Sequence, residues 1–354
     1  MWSIIGHSAA LAVLERALTS ERRPHAWLFT GPEGIGKLAT AIEFAAALNC
    51  TSAEKPCGEC QACRSTLAGN HPDVEVVAPG GLCDEPEHRD HADSRDLRIC
   101  QVRRLERVLS LSPYAGGRRV AIVDAADTLR AEAANAFLKT LEEPPAGAVL
   151  ILLAEREERL PDTVLSRCQK LPFRPLERET IVEALLDRGA TPEDAVAIAA
   201  AARGRIGWAF QALQDASLLE EREAMLDEAR RLAHAGRFER FAWAIDAGVR
   251  ETELKERIRQ RYLRELGVWE SWWRDVLLFV AGGSEGAENS DREPELREEG
   301  KLYSASDIVT FLKALTQTRE YLQENVDPQL ALENLILDLP MAGRPATAAA
   351  GRTR

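Results

Sequence analysis

The first half of this chain encodes an α/β domain around a parallel sheet, and the second half encodes helices. Three features carry that expectation. Short apolar runs alternate with helical patterns over residues 1–173, a glycine loop joins the first run to a helix, and strand signals stop beyond Phe173. Alternating strands and helices give a parallel sheet covered on both faces, because every crossover must bury its apolar side.

Each element has a local reason. Residues 5–18 carry Ala and Leu at helical spacing, and residues 26–30 form a short apolar run ending at Gly31, so helix and then strand are expected. Residues 37–50 (KLATAIEFAAALNC) lack helix breakers and predict a largely buried helix. A cysteine cluster at 57–63 precedes a strand at 73–77. The charged stretch 83–98, which contains Pro86, reads as an exposed loop. A helix over 102–111, a turn at 114–117 and a strand over 120–123 follow. The helix over 131–142 must stop before Pro144 and Pro145, and a strand over 149–153 comes next.

Beyond the α/β part, residues 174–214 hold three short helical patterns broken at 189–192 and 204–207, which defines a small helical domain. Residues 215–340 form a third, all-helical domain of longer helices. The acidic, glycine-bearing stretch 282–300 inside it reads as a mobile loop, and the Ala, Gly, Pro and Arg tail 341–354 as disordered. A length of 354 residues accommodates two or three such cores.

Composition excludes several classes of function. Hydrophobic residues at 45% and charged residues at 29% describe a folded soluble chain. No window reaches the eighteen or so apolar residues of a membrane span, and the charged N-terminal stretch is no signal peptide, so a cytoplasmic location without membrane contact is expected. Seven cysteines, an odd number, argue against a complete disulfide framework. A net charge of -12 repels polyanions at long range, so any nucleic acid is met within a larger complex or through a small basic patch.

Residues 31–37, GPEGIGK, fit the phosphate-loop pattern G-x-x-x-x-G-K. Gly31, Gly34 and Gly36 let backbone N–H groups turn toward phosphate oxygens, and Lys37 reaches the terminal phosphates. The next position, where a hydroxyl would ligate magnesium, is Leu38. Asp124 ends a strand where such ATPases place their magnesium-binding carboxylate. The following residue, expected to be the acid that orients the attacking water, is Ala125. Asp127 reads as a helix N-cap. Two losses at separate positions predict weak or absent hydrolysis, with ATP binding in the chain's own loop still open.

Cys50, Cys57, Cys60 and Cys63 follow C-x6-C-x2-C-x2-C, which lets four thiolates converge on one zinc ion. Four sulfurs leave no open coordination position, so the site is structural. Cys83, Cys100 and Cys168 read as small apolar residues, and His71, His88 and His91 as solvated loop histidines. Arg167, in the segment SRC, can stabilise a phosphoryl group held by another subunit or can simply form a surface ion pair; spacing leaves both open.

GPEGIGK, the four cysteines, VAIVDAAD at 120–127, NAFLKTLEEPP at 135–145, SRC at 166–168 and DPQLALENLILDLP at 327–340 form one ordered set. In this set the chain resembles the delta-prime family of bacterial DNA polymerase III clamp-loader subunits, within the AAA+ proteins. The resemblance implies an AAA+ domain with a zinc-binding insertion, a small helical lid and an all-α collar that joins a hetero-pentamer with motor ATPase and delta subunits. It implies a non-hydrolysing stator that lends Arg167 in trans to a motor subunit, so that a sliding clamp is loaded on primed DNA.

Departures from an active motor agree with this. Gly207 stands where a motor presents a sensing arginine, Arg205 lies on another face, and Ala154 and Glu155 replace a small polar residue at a strand end. The competing readings are an active motor ATPase of the same loader, which Leu38 and Ala125 oppose, and a zinc-dependent nucleic-acid-binding module, which the acidic balance opposes.

Overall fold

The computed structural model describes residues 2–342 except 21–22, 82, 86–93, 95, 115–116, 250–254, 285 and 325, without the side chains of 246–249 and 255–257. His88, His91, most of the expected loop at 83–98 and nearly all of the expected tail lie outside the described residues. The elements run α1 (Ser8–Thr19), β1 (Ala26–Thr30), α2 (Lys37–Asn49), α3 (Gln61–Leu67), β2 (Val74–Val77), α4 (Ile99–Ser110), β3 (Arg119–Val123), α5 (Ala131–Glu142), β4 (Ala148–Ala154), α6 (Asp162–Leu165), β5 (Gln169–Pro172) and α7 (Arg178–Leu186). Helices follow from there: α8 (Pro192–Ala202), α9 (Ile206–Gln214), α10 (Ser217–His234), α11 (Arg237–Val249), α12 (Lys255–Val280), α13 (Glu293–Glu299), α14 (Ala305–Gln323) and α15 (Pro328–Leu337). Among the described residues no helix is long and apolar enough to cross a membrane.

Contacts divide the chain into two compact units, residues 1–189 with 204–210, and residues 190–203 with 211–354. In the first, five parallel strands lie in the order β2-β3-β4-β1-β5. Side chains alternate across the sheet, so Trp27 and Phe29 join Leu14 of α1 and Phe44 of α2 on one face. Leu28 joins Val102 and Leu105 of α4 and Phe137 of α5 on the other. Every residue of β4 (AVLILLA) is buried, as a parallel strand with helices on both sides requires. The α/β sheet with helices on both faces is thus the fold anticipated from the alternation.

β5 was not anticipated. It is four residues long, only Leu171 is buried, and it sits at the sheet edge, so it has no apolar run to mark it.

The second unit is helical, built on Trp269, Trp272 and Trp273 of α12 packed with Phe311 and Leu315 of α14 and Leu332 and Leu335 of α15. The acidic stretch departs from expectation. Instead of a mobile loop it carries a 3-10 turn, Ser290–Arg292, and α13, with Leu296 and Asn289 fully buried. Several of its polar groups are paired within the unit. Arg222 donates to Asn289 and Asp291, while Asn289 donates from backbone and side chain to Asp275 at 2.7 Å each.

Candidate functional site

The glycine loop leaves β1 beside β4, where the Gly31 N–H donates to the Ala154 carbonyl at 3.2 Å. Gly31 has φ 146°, and a Cβ there would lie 2.4 Å from the Phe173 oxygen, so only glycine fits. Gly34 and Gly36 also have positive φ, and Gly36 caps α2. Most of the loop carbonyls are engaged. Lys37 Nζ donates to Gly31 O at 2.6 Å and Pro32 O at 2.8 Å, the Gly207 N–H donates to Gly34 O at 2.7 Å, and His7 Nε2 lies 2.9 Å from Ile35 O. A glycine loop at a helix N-terminus offers backbone amides, which is the polarity an anion needs.

Lys37 is 9% exposed. Burial lowers its pKa, while Glu155, Asp124, Asp127 and Glu33 pull the other way. Leu38 points partly into solvent, 37% exposed, and offers no ligand.

Asp124 ends β3, but its Oδ1 accepts the N–H of Ala125 at 2.9 Å. Ala125 sits at φ 51°, a left-handed position, and brings only a methyl group where a base would act. Asp127 is not a helix N-cap. Its carboxylate accepts the N–H groups of Glu155 and Arg156 at 3.2 Å each and so ties the end of β4, whereas the residue capping α5 is Arg130.

The four cysteines come together. Cys50 ends α2, Cys60 caps α3 and Cys63 lies inside it, and all four Sγ atoms are within 4.8 Å of one another. The Cys57–Cys63 and Cys50–Cys60 sulfurs are 4.0 Å apart. A tetrahedral ion with sulfur bonds of 2.3 Å spaces its ligands by roughly 3.8 Å, so the donor set fits such an ion. Cys60 N–H donates to Cys57 Sγ at 3.3 Å and Cys63 N–H to Cys60 Sγ at 3.4 Å, which favours thiolates. Burial pushes Cys63 up to about 12, whereas at Cys60 burial is outweighed by the N–H groups of Cys63 and Thr51 and the thiol falls to about 6. His71 is not a solvated histidine. It is 6% exposed and its Nδ1 accepts the Asp73 N–H, a role no spacing announced.

Arg167 stands apart from the loop, after α6. Nη1 donates to Thr163 O at 2.8 Å and Nη2 to Glu142 Oε1 at 2.5 Å, and the side chain is 34% exposed. Glu142 and His7 were both missed by sequence reasoning. An acid at the negative end of a helix is a usable signal for Glu142; nothing local marks His7.

The family model described as DNA polymerase III, delta subunit, matches residues 6–177. The delta-prime subunit of Bacillus subtilis is 27% identical over 93% of this chain and 94% of its own length. That of Pseudomonas aeruginosa is 35% identical over 59% of this chain and 61% of its own. The tau subunit of Bacillus subtilis is 34% identical over 51% of this chain, which is 30% of tau. A gamma subunit-related structure from Thermotoga maritima covers 93% of this chain and 97% of its own at 17% identity and a TM-score of 0.41. The likeness to the delta-prime subunit of Bacillus subtilis thus spans nearly the whole chain, whereas that to tau spans about half of it, and the chain resembles the delta-prime subunits of DNA polymerase III over the greater length.

Proposed function

We propose that the chain serves DNA replication in the cytoplasm as a stator of a DNA polymerase III clamp loader. Similarity to delta-prime subunits over most of the chain supports the clamp-loader role. The reading divides the chain into an AAA+ domain, a helical lid and a collar that joins motor ATPase and delta subunits in a ring. Through that ring the chain acts on the sliding clamp and on primed DNA.

One observation carries the non-hydrolysing part. The two positions that hydrolysis requires are held by Leu38 and by Ala125 on a left-handed backbone, while Asp124 and Asp127 accept backbone N–H groups. Neither Leu38 nor Ala125 can orient or deprotonate a water. Gly31, Gly34, Gly36 and Lys37 cradle ATP without turning it over. Arg167 is the outward cation at the end of α6, suited to meet a triphosphate on a neighbour. The four thiolates would hold a structural zinc ion that pins α2 to α3 and performs no chemistry.

Arginine fingers are worth about 10³ to 10⁵ in turnover where they operate. In a reconstituted loader, Arg167→Ala therefore abolishes most clamp- and DNA-stimulated ATP turnover while the assembly still forms. Undiminished turnover removes the finger. The purified chain alone hydrolyses no ATP; a rate that vanishes with Lys37→Ala would restore the motor reading.

A further inference from the structure

The partner that holds Arg167 is chemically odd. Glu142 is the last residue of α5, where the unpaired carbonyls of a helix end carry partial negative charge and disfavour a carboxylate. Glu143 follows at once. The compensating cation is Arg167, whose Nη2 lies 2.5 Å from Glu142 Oε1, with the two side chains 34% and 51% exposed. Nη1 is fixed separately by Thr163 O at 2.8 Å and Ser166 Oγ at 3.3 Å, so orientation of the guanidinium does not depend on the carboxylate alone.

A guanidinium in contact with a carboxylate presents a dipole rather than a full charge to a third group. A phosphate approaching Arg167 also approaches the Glu142 anion and is repelled by it. We propose that Glu142 is a positioning residue that holds Arg167 in a charge-quenched resting state and yields it to the triphosphate of a neighbouring subunit. Engagement is then an exchange of one oxyanion for another on the same Nη2. Carboxylate and phosphate compete, and the exposed pair is weak enough for the phosphate to win. This rests on the reading of Arg167 as a finger.

The test is ATP turnover against ATP concentration in the reconstituted loader carrying wild-type chain, Glu142→Gln, Arg167→Ala or both substitutions. Glu142→Gln keeps the shape and a neutral acceptor but removes the competing charge. It lowers the KM for ATP about two- to fivefold, the range of an exposed ion pair, with kcat unchanged. In the Arg167→Ala background the same substitution has no effect, because nothing remains to quench. A purely structural Glu142 would shift KM equally in both backgrounds, or lower the melting temperature of the isolated chain; either result, or an unchanged KM, overturns the proposal. Loss of turnover in Arg167→Ala with no effect of Glu142→Gln defeats the exchange and leaves the finger standing. Undiminished turnover in Arg167→Ala defeats the finger itself.

Discussion

At the scale of single residues, this chain places acids where solvent would not choose them. Glu265 on α12 is 8% exposed and lines a cleft of about 740 Å³ with Trp243, Phe238 and Tyr262. Burial pushes its carboxyl up to about 7, Arg261 opposes the shift and Glu228 adds to it. A folded pKa above the unfolded value means that stability is whole below about pH 4.5 and drains away as pH rises through about 7. The drain is on the order of 3 kcal/mol, since each unit is worth 1.36. Glu265→Gln removes it. At pH 8 the variant melts several degrees above the wild type, and at pH 4.5 the two melting curves coincide. A gap of the same size at both pH values would show that charge at Glu265 is not what limits stability.

At the scale of elements, α2 does two jobs: its N-terminus closes the glycine loop and its C-terminus delivers Cys50 to the thiol cluster. α3 has only seven residues, too few to be stable alone, and Cys60 and Cys63 are its anchors. Metal removal should therefore unfold α3 first. If the four thiolates hold zinc as proposed, elemental analysis of full-chain protein should find about one per molecule; a strong chelator or Cys63→Ser should release it and lower the melting temperature, with amide exchange rising over residues 57–67. Metal-free protein with unchanged exchange there would reduce the cluster to four ordinary thiols.

The same scale explains what could be read in advance. The glycine loop, the cysteines and SRC are local spacings, so one stretch of sequence contains the whole signal. α5 was placed residue for residue because two prolines stop it. The acidic stretch was misread because its cations and amides are far away in sequence: Arg222 lies 67 residues from Asn289. Acidity there reads as solvation until the partners are known. Glu142 and Arg167 are 25 residues apart, which hid their pairing in the same way.

At the scale of the whole molecule, charge decides how the chain can meet DNA. A net charge of -12 sets up repulsion of a polyanion, and many arginines are already engaged: Arg104 with Glu75, Arg222 with Asp291, Arg292 with Asp227. Phosphate contacts release counterions and make affinity fall steeply with salt, so an acidic chain that meets DNA only within an assembly should show neither the affinity nor the slope. In fluorescence anisotropy with labelled primed DNA at low salt, the isolated chain binds no better than the nonspecific range of about 10⁻⁴ to 10⁻⁶ M, and the assembled loader binds far more tightly. Tight binding by the isolated chain that collapses on adding salt would revive the nucleic-acid-binding module. Neutral, salt-insensitive behaviour instead assigns DNA contact to surfaces that other subunits complete. A chain with Ala125 after its strand-end aspartate and with a guanidinium held by an exposed carboxylate fits the proposed division of labour.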